Sequence, residues 1–375
     1  MQNDIAQLIQ EQVIEAHRSQ NPVEIISNGS KHFYGNSIQA TPLIVSQHQG
    51  VINYEPTELV ITARAGTPLD EIEKVLSDNG QQLAFEPPHF RVFDTTRNRS
   101  ATLGGTIACG FSGPARANAG SVRDFLLGCE IINGLGEQLK FGGQVMKNVA
   151  GYDVSRLMSG SMGTLGIILN ASLKTLPKHE HEISLSFSLS RDQAFEKLTQ
   201  WNLKPYQLTA STYHNGTLTV RLSGNTEAVN VTHKLLGGER LENSPEYWQY
   251  VKEQLHPFFK TDKPLWRISS KPQLDIPLTG FDEKIDMGTD SLSEWHGTLH
   301  WIKTTAAADK IRKVAEKLGG HATLYRQGVS KQNTSIFHPL TTPLFTIHKN
   351  LKMAFDPKDI LNRNKMYAFN LHNKG

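Results

Sequence analysis

The residues best suited to chemistry in this 375-residue chain are glycines rather than a charged cluster. Fourteen of the thirty glycines fall between Ala101 and Asn170. The densest run reads Ala101-Thr102-Leu103-Gly104-Gly105-Thr106-Ile107-Ala108-Cys109-Gly110-Phe111-Ser112-Gly113-Pro114, and it continues through Gly120-Ser121-Val122-Arg123-Asp124. Without a Cβ the backbone lets a large ligand come close, and consecutive N–H groups can aim at anionic oxygens. Tight turns between strands, with no ligand, account for the same spacing equally well.

Histidines are the second candidate. His296 and His300 sit in Trp295-His296-Gly297-Thr298-Leu299-His300-Trp301, where tryptophan and leucine alternate with polar residues. That alternation predicts a strand. Residues four apart on a strand lie ~13 Å from each other, whereas two ligands of one ion need nitrogens within ~4 Å. The pair is therefore not expected to chelate, and no metal is expected in the chain.

Other signatures are missing. No Gly-Lys dipeptide occurs, which excludes a P-loop, and Gly134-Leu135-Gly136 meets Leu139 where a Rossmann fingerprint needs its third glycine. No Gly-x-Ser-x-Gly elbow supports a hydrolase. The net charge of +3 is scattered, so no nucleic-acid partner is expected. Cys109 and Cys129 are too few for a disulfide framework and read as reduced thiols. With no secretory signal at Met1-Gln2-Asn3-Asp4 and no membrane-length apolar run, the expectation is a cytoplasmic chain.

Several elements must position these residues. Asp4 to Ser19 has helical periodicity. Val23–Ile26, Leu43–Val45 and Leu59–Ala63 read as strands, the first running into the turn chemistry of Ser27-Asn28-Gly29-Ser30-Lys31. Thr67 and Pro68 read as the N-cap and first residue of a helix stopping at Asn79-Gly80. Leu126–Ile132, Gln138–Phe141 and Gly166–Leu176 read as further strands. The texture changes near residue 178. Ile183–Ser190, Tyr206–Tyr213 and Thr217–Leu222 read as strands, with an Asn215-Gly216 hairpin turn, and Gln193–Trp201 and Thr226–Leu236 as helices. Gly237 to Gly280 reads as irregular, and Trp295–Trp301, Ala306–Leu318 and Ala322–Tyr325 as strand, helix, strand.

The glycine-rich phrases resemble those of the vanillyl-alcohol oxidase (PCMH) type of FAD-binding domain. The resemblance rests on Ala101-Thr102-Leu103-Gly104-Gly105, Gly113, Gly120-Ser121-Val122-Arg123-Asp124 and Lys147-Asn148-Val149-Ala150-Gly151-Tyr152-Asp153. It extends through Gly160-Ser161-Met162-Gly163-Thr164-Leu165-Gly166-Ile167-Ile168 and a closing segment, Phe355-Asp356-Pro357 with Ile360-Leu361-Asn362. Cys109 to Pro114, Gly142 to Lys147 and the length narrow it to the FAD-binding subunits of bacterial glycolate oxidases. The resemblance implies an α+β fold: a two-subdomain FAD domain over 1–178, an antiparallel-sheet cap over 179–350, and a segment over 351–375 returning to the FAD domain.

It also implies a ligand and partners. FAD would be held without a covalent bond. Asn28, Gly29, Ser30, Lys31 and His32 would form the diphosphate loop. Thr102, Gly104, Gly105, Gly113, Gly120 and Asp124 would pass near the cofactor, and Gly163, Gly166, Ile167 and Ile168 would enclose the adenine side. The activity implied is oxidation of glycolate to glyoxylate, in company with a larger flavoprotein subunit and an iron–sulfur subunit, which would also carry the chain to the inner face of the membrane. A free-standing dehydrogenase of another 2-hydroxy acid and a non-catalytic electron-transfer or assembly subunit are the alternatives. No catalytic residue is singled out: His89, Arg116, Arg123, Lys147 and Tyr152 are the available acids, bases and cations. Two departures stand out. Asn362-Arg363-Asn364-Lys365 replaces the usual Asn-Pro-Gly-Lys, which argues against a role for Asn362 or Lys365. Ser27-Asn28 replaces a glycine pair, which puts Asn28 in a left-handed conformation.

Overall fold

The computed structural model describes residues 4–91, 100–143, 153–272, 285–329 and 334–369. Lys147 and Tyr152 lie outside these residues. The chain forms two compact units, residues 1–112, 120–177 and 339–375 in the first, 113–119 and 178–338 in the second.

The first unit opens with α1 (Ala6–Ser19), whose Ile9, Val13 and Ala16 fall on one helical face and are buried. Strands β1 (Val23–Ile26) and β2 (Thr41–Ile44) pair in parallel. Next come β3 (Val51–Glu55), β4 (Val60–Arg64), α2 (Leu69–Ser77) and the short β5 (Gln81–Gln82). Helix α2 starts one residue later than expected: Pro68 is its N-cap, and the Thr67 hydroxyl accepts from the Gly50 N–H instead.

The glycine run holds a helix that turn chemistry did not announce, α3 (Leu103–Cys109), N-capped by the Thr102 hydroxyl. Two four-residue helices follow, α4 (Arg116–Ala119) and α5 (Val122–Phe125). Then come β6 (Leu126–Ile132), β7 (Gln138–Gly142), α6 (Val154–Met158), β8 (Ile167–Lys174) and β9 (Leu176–Pro177). Five strands make an antiparallel sheet in the order β3-β4-β8-β6-β7. Its central strand β8 is buried along nearly its whole length, as its run of apolar residues requires.

In the second unit, β10 (His181–Ser188), α7 (Arg191–Asn202), β11 (Leu208–His214), β12 (Thr217–Gly224) and α8 (Thr226–Leu236) stand close to where periodicity puts them. Asn215 and Gly216 both have positive φ, as the β11–β12 turn demands. Among its described residues, the stretch expected to be irregular holds regular elements. It carries β13 (Glu239–Arg240), α9 (Ser244–Lys252) and β14 (Leu265–Ser269), an internal strand with Trp266 fully buried.

The predicted strand Trp295–Trp301 is a hairpin, and this corrects the sequence reading. Strands β15 (Ser291–Glu294) and β16 (Leu299–Lys303) flank a turn in which Trp295, His296 and Gly297 all take positive φ. After α10 (Ala308–Lys317), β17 (His321–Arg326) completes one antiparallel sheet, β13-β10-β12-β11-β15-β16-β14-β17.

The last helix, α11 (Thr342–Phe355), belongs to the first unit. Beyond it the chain runs beside β1: Leu361 bridges Val23 in parallel, and Ile360 and Leu361 join the core of Ile9, Val13 and Val23.

Candidate functional site

Strand β1 delivers the chain into a loop at the mouth of a cleft. Gly29 there has φ +78°, the left-handed conformation expected of Asn28, which does not adopt it. Asn28 instead anchors the loop from the side, its Nδ2 donating to the Ser100 carbonyl at 2.9 Å. The backbone N–H groups of Asn28, Gly29 and Ser30 donate to nothing among the described residues. The Ser27 hydroxyl beside them is buried and equally without a partner. A left-handed residue flanked by free N–H groups is an anion-binding concavity. Lys31 is no solvated loop lysine: it is 8% exposed, with Nζ 3.4 Å from the Ser30 hydroxyl and 3.5 Å from that of Thr106.

The opposite wall is α3. Its glycines do not offer N–H groups to a ligand, contrary to the nest-like reading of the run. Gly104 N–H donates to the Ala65 carbonyl at 2.7 Å, and Gly105 N–H to the Thr102 hydroxyl at 3.3 Å. What Gly104 provides is proximity, since a Cβ there would lie 2.6 Å from Ala65 Cβ.

The cleft spans about 940 Å³ of empty space, counting the part open to solvent. It brings together Asn28 to His32, Thr102, Gly104, Gly105, Gly163 and Gly166 to Ile168. Gly113, Gly120 and Asp124 are not among its walls. Gly113 accepts from the Trp295 indole in the second unit, and Asp124 closes a capping box with Ser121.

The cleft also contains residues whose importance the sequence did not show. Asn362 and Lys365 line it despite the altered closing phrase. Asn362 and Asn364 take φ of 42° and 62°, so asparagines supply the left-handed turn that proline and glycine would otherwise shape. Asn362 Oδ1 accepts from Ile25 N–H at 2.8 Å and its Nδ2 donates to the Met162 carbonyl at 2.7 Å. Lys365 Nζ stands 3.3 Å from Glu24 Oε1. Cys109 lines the same space. Burial pushes its thiol pKa up, while the charges of Lys31 and Lys365 pull it down, which places both cations within electrostatic reach of one wall. Free N–H groups, an orphaned hydroxyl and two buried lysines suit a large ligand with an anionic centre.

The remaining candidates lie elsewhere. His89 is buried between Ser100 and Glu73 and does not line the cleft. Together with Asp70 it brings ligand atoms within 4.8 Å of one another, but Arg91 already pairs with Asp70. Arg123 donates to the Ser159 carbonyl, and Arg116 lies over the Trp295 ring at 4.5 Å. His296 Nε2 is 2.6 Å from Asn118 Oδ1, and His300 Nδ1 is 2.8 Å from the Ser293 hydroxyl. Burial pushes these two imidazoles down to about 4 and about 3.

Known proteins indicate the ligand class of the chain. Residues 5–142 match the FAD binding domain family. The chain is 42% identical over 368 residues to the glycolate oxidase subunit GlcE of Escherichia coli, spanning 97% of this chain and 98% of that protein. It is 30% identical over 143 residues to the glycolate oxidase subunit GlcD of Bacillus subtilis, spanning 38% of this chain and 29% of that one. A solved alkyldihydroxyacetonephosphate synthase shares the fold, with TM-score 0.63 and 15% identity over 95% of this chain and 75% of that one. No helix among the described residues is long and apolar enough to cross a membrane. The chain is an FAD-dependent oxidoreductase component, and it belongs to the family of the glycolate oxidase subunit GlcE.

Proposed function

We propose that the cleft of the first unit holds FAD, without a covalent bond, for the oxidation of glycolate to glyoxylate in a multi-subunit complex. The carrying observation is the set of three unpartnered N–H groups around Gly29, with Lys31 buried beside them. These groups would take the diphosphate, with Lys31 adding positive charge. Thr102 and Gly105 would pass close to the cofactor, and Gly163, Ile167 and Ile168 would close over the adenine side. Bound flavin supplies a two-electron acceptor for the substrate carbon. Two relatives are named as subunits, which supports a complex. Its other members would be a larger flavoprotein subunit and an iron–sulfur subunit, holding this chain at the cytoplasmic face of the membrane. The second unit would serve as a cap facing substrate or partner.

One observation favours a further restriction, that substrate oxidation is completed only with a sister subunit. Of the candidates for proton or carboxylate chemistry named from the sequence, the described ones, His89, Arg116 and Arg123, do not line the cleft, whose ionisable lining among the described residues is Glu24, Lys31, His32, Tyr34, Cys109 and Lys365.

The test is the purified full chain. Visible flavin bands are expected, and a colourless protein that takes up no added FAD would overturn the proposal. Anaerobic glycolate is expected to bleach the flavin only after partner subunits are added. Bleaching of the lone chain would remove the restriction and leave the cofactor assignment standing.

A further inference from the structure

A chain of hydrogen bonds, buried at its centre, leads from outside the cleft to the loop that carries its free N–H groups. On α2, both Glu73 carboxylate oxygens lie 3.2 Å from His89 Nε2. His89 Nδ1 lies 2.8 Å from the Ser100 hydroxyl, and the Ser100 carbonyl receives Asn28 Nδ2 at 2.9 Å. Asn28 adjoins Gly29, the left-handed residue on which the N–H array depends. His89 and Ser100, the middle of the chain, are about 5–6% exposed, which shields the contact between them from water. The Asp70 carboxylate, paired with Arg91, stands 3.4 Å from the same Nδ1, farther than the Ser100 hydroxyl.

We propose that His89 is a positioning residue for the cofactor loop: by fixing Ser100 it presents the carbonyl that holds Asn28, and so pre-orders the N–H groups of Asn28, Gly29 and Ser30 for a diphosphate. The inference rests on the assignment of that loop to the diphosphate. Pre-ordering matters because a glycine loop that must be ordered during binding loses conformational entropy at that moment. Without the pin, the loop keeps every group that touches the cofactor but presents them in the right arrangement only part of the time. The apparent affinity then falls by that fraction.

The consequence is selective for one ring nitrogen. Asparagine places an amide near the Nδ1 position and can keep the Ser100 contact. Glutamine reaches the Nε2 position and can keep only the contact with Glu73.

The experiment titrates FAD into flavin-stripped full-length protein and reads binding by flavin fluorescence, with far-UV circular dichroism and a melting curve on each stripped variant. His89→Ala and His89→Gln are expected to bind FAD about tenfold more weakly, and His89→Asn within about threefold of the parent. Asn28→Ala alone should also cost about tenfold, and adding His89→Ala to it should cost less than about threefold more, because both changes break one chain. Parental affinity in His89→Ala, or losses that multiply in the double variant, would overturn the proposal. If His89→Ala does not fold, Ser100→Ala, which deletes only the hydroxyl, carries the same expectation of weaker binding, and parental affinity there would overturn it equally. A parent chain that binds no FAD would instead sink the underlying loop assignment, so the two failures are distinguishable.

Discussion

Gly104 and Gly105 are neighbours in one short helix, yet their surroundings demand different things of them. A Cβ on Gly104 would stand 2.6 Å from Ala65 Cβ and 3.1 Å from the Ala65 carbonyl, in a packed region where neither atom can swing aside. Gly104→Ala is therefore expected to cost about 1–3 kcal/mol of stability, the usual toll of overpacking. Thermal or denaturant unfolding of the flavin-stripped chain checks this. A Cβ on Gly105 meets only the Thr102 hydroxyl, at 3.1 Å, and this residue lines the cleft. Gly105→Ala should leave the stripped chain as stable as the parent, because a helical alanine is favoured over glycine by ~1 kcal/mol, and should weaken FAD binding instead. If both variants behave alike, the distinction is wrong. The pair was legible as special from spacing and phrase. Its physical reason was not, because only the fold shows that both N–H groups are used internally.

At the scale of elements, the returning C-terminal segment depends on one buried cation. Lys352 on α11 reaches Asp356 at 2.7 Å, Asp359 at 3.1 Å and the carbonyls of Thr164 and Leu361 at 2.9 Å. Asp356 is fully buried and also accepts from the N–H groups of Ile360 and Leu361. Lys352→Met would leave the buried Asp356 carboxylate without its cation and Asp359 with only Arg363, at 3.6 Å, a change expected to cost about 3–5 kcal/mol. Since Asn362 follows directly, loss of bound flavin should accompany the loss of melting temperature. A variant that keeps both would remove this anchor from the account of the site.

The β15–β16 hairpin makes a different prediction. His296 and His300 titrate near 4 and 3 in the fold, against about 6.5 unfolded, because burial disfavours their charged forms. Between those values the unfolded chain binds more protons. These residues thus take nothing from stability above about pH 6.5, and stability falls as pH drops toward 4, by up to about 1.4 kcal/mol per pH unit for each histidine. Urea unfolding across that range should show the slope, and His300→Gln should flatten it.

Elements with a strong period, such as α8 and the β11–β12 hairpin, were readable before the structure. Those missed were overridden locally. Helix α3 contains two adjacent glycines, β14 is five residues among prolines and charges, and the 295–297 turn hides inside an alternating pattern that breaks only where three residues in a row turn left-handed.

For the molecule as a whole, the cleft proposed for the cofactor and the four most strongly depressed histidines fall on different units. Every described cleft-lining residue belongs to the first unit, whereas His256, His296, His300 and His321, each depressed mainly by burial, belong to the second. Unfolding of such a chain need not be one transition. Ligand present at about 100 times its dissociation constant stabilises what it binds by ~2.7 kcal/mol. That stabilisation should appear as slower amide exchange where the cofactor residues lie. Hydrogen exchange followed by mass spectrometry, with and without FAD, is expected to show its largest protection in peptides spanning residues 23–32 and 102–109. Peptides over β11 and β12 should show little. Lowering the pH to about 5 should give the reverse pattern once exchange is corrected for its intrinsic pH dependence, loosening β15–β16 more than 23–32, since the largest histidine shifts lie in the second unit and those of His48 and His348 in the first are smaller. Equal protection of both units by FAD would mean that the cofactor is held by more than the first unit's cleft, and the assignment of binding to the Gly29 loop and α3 would have to be abandoned.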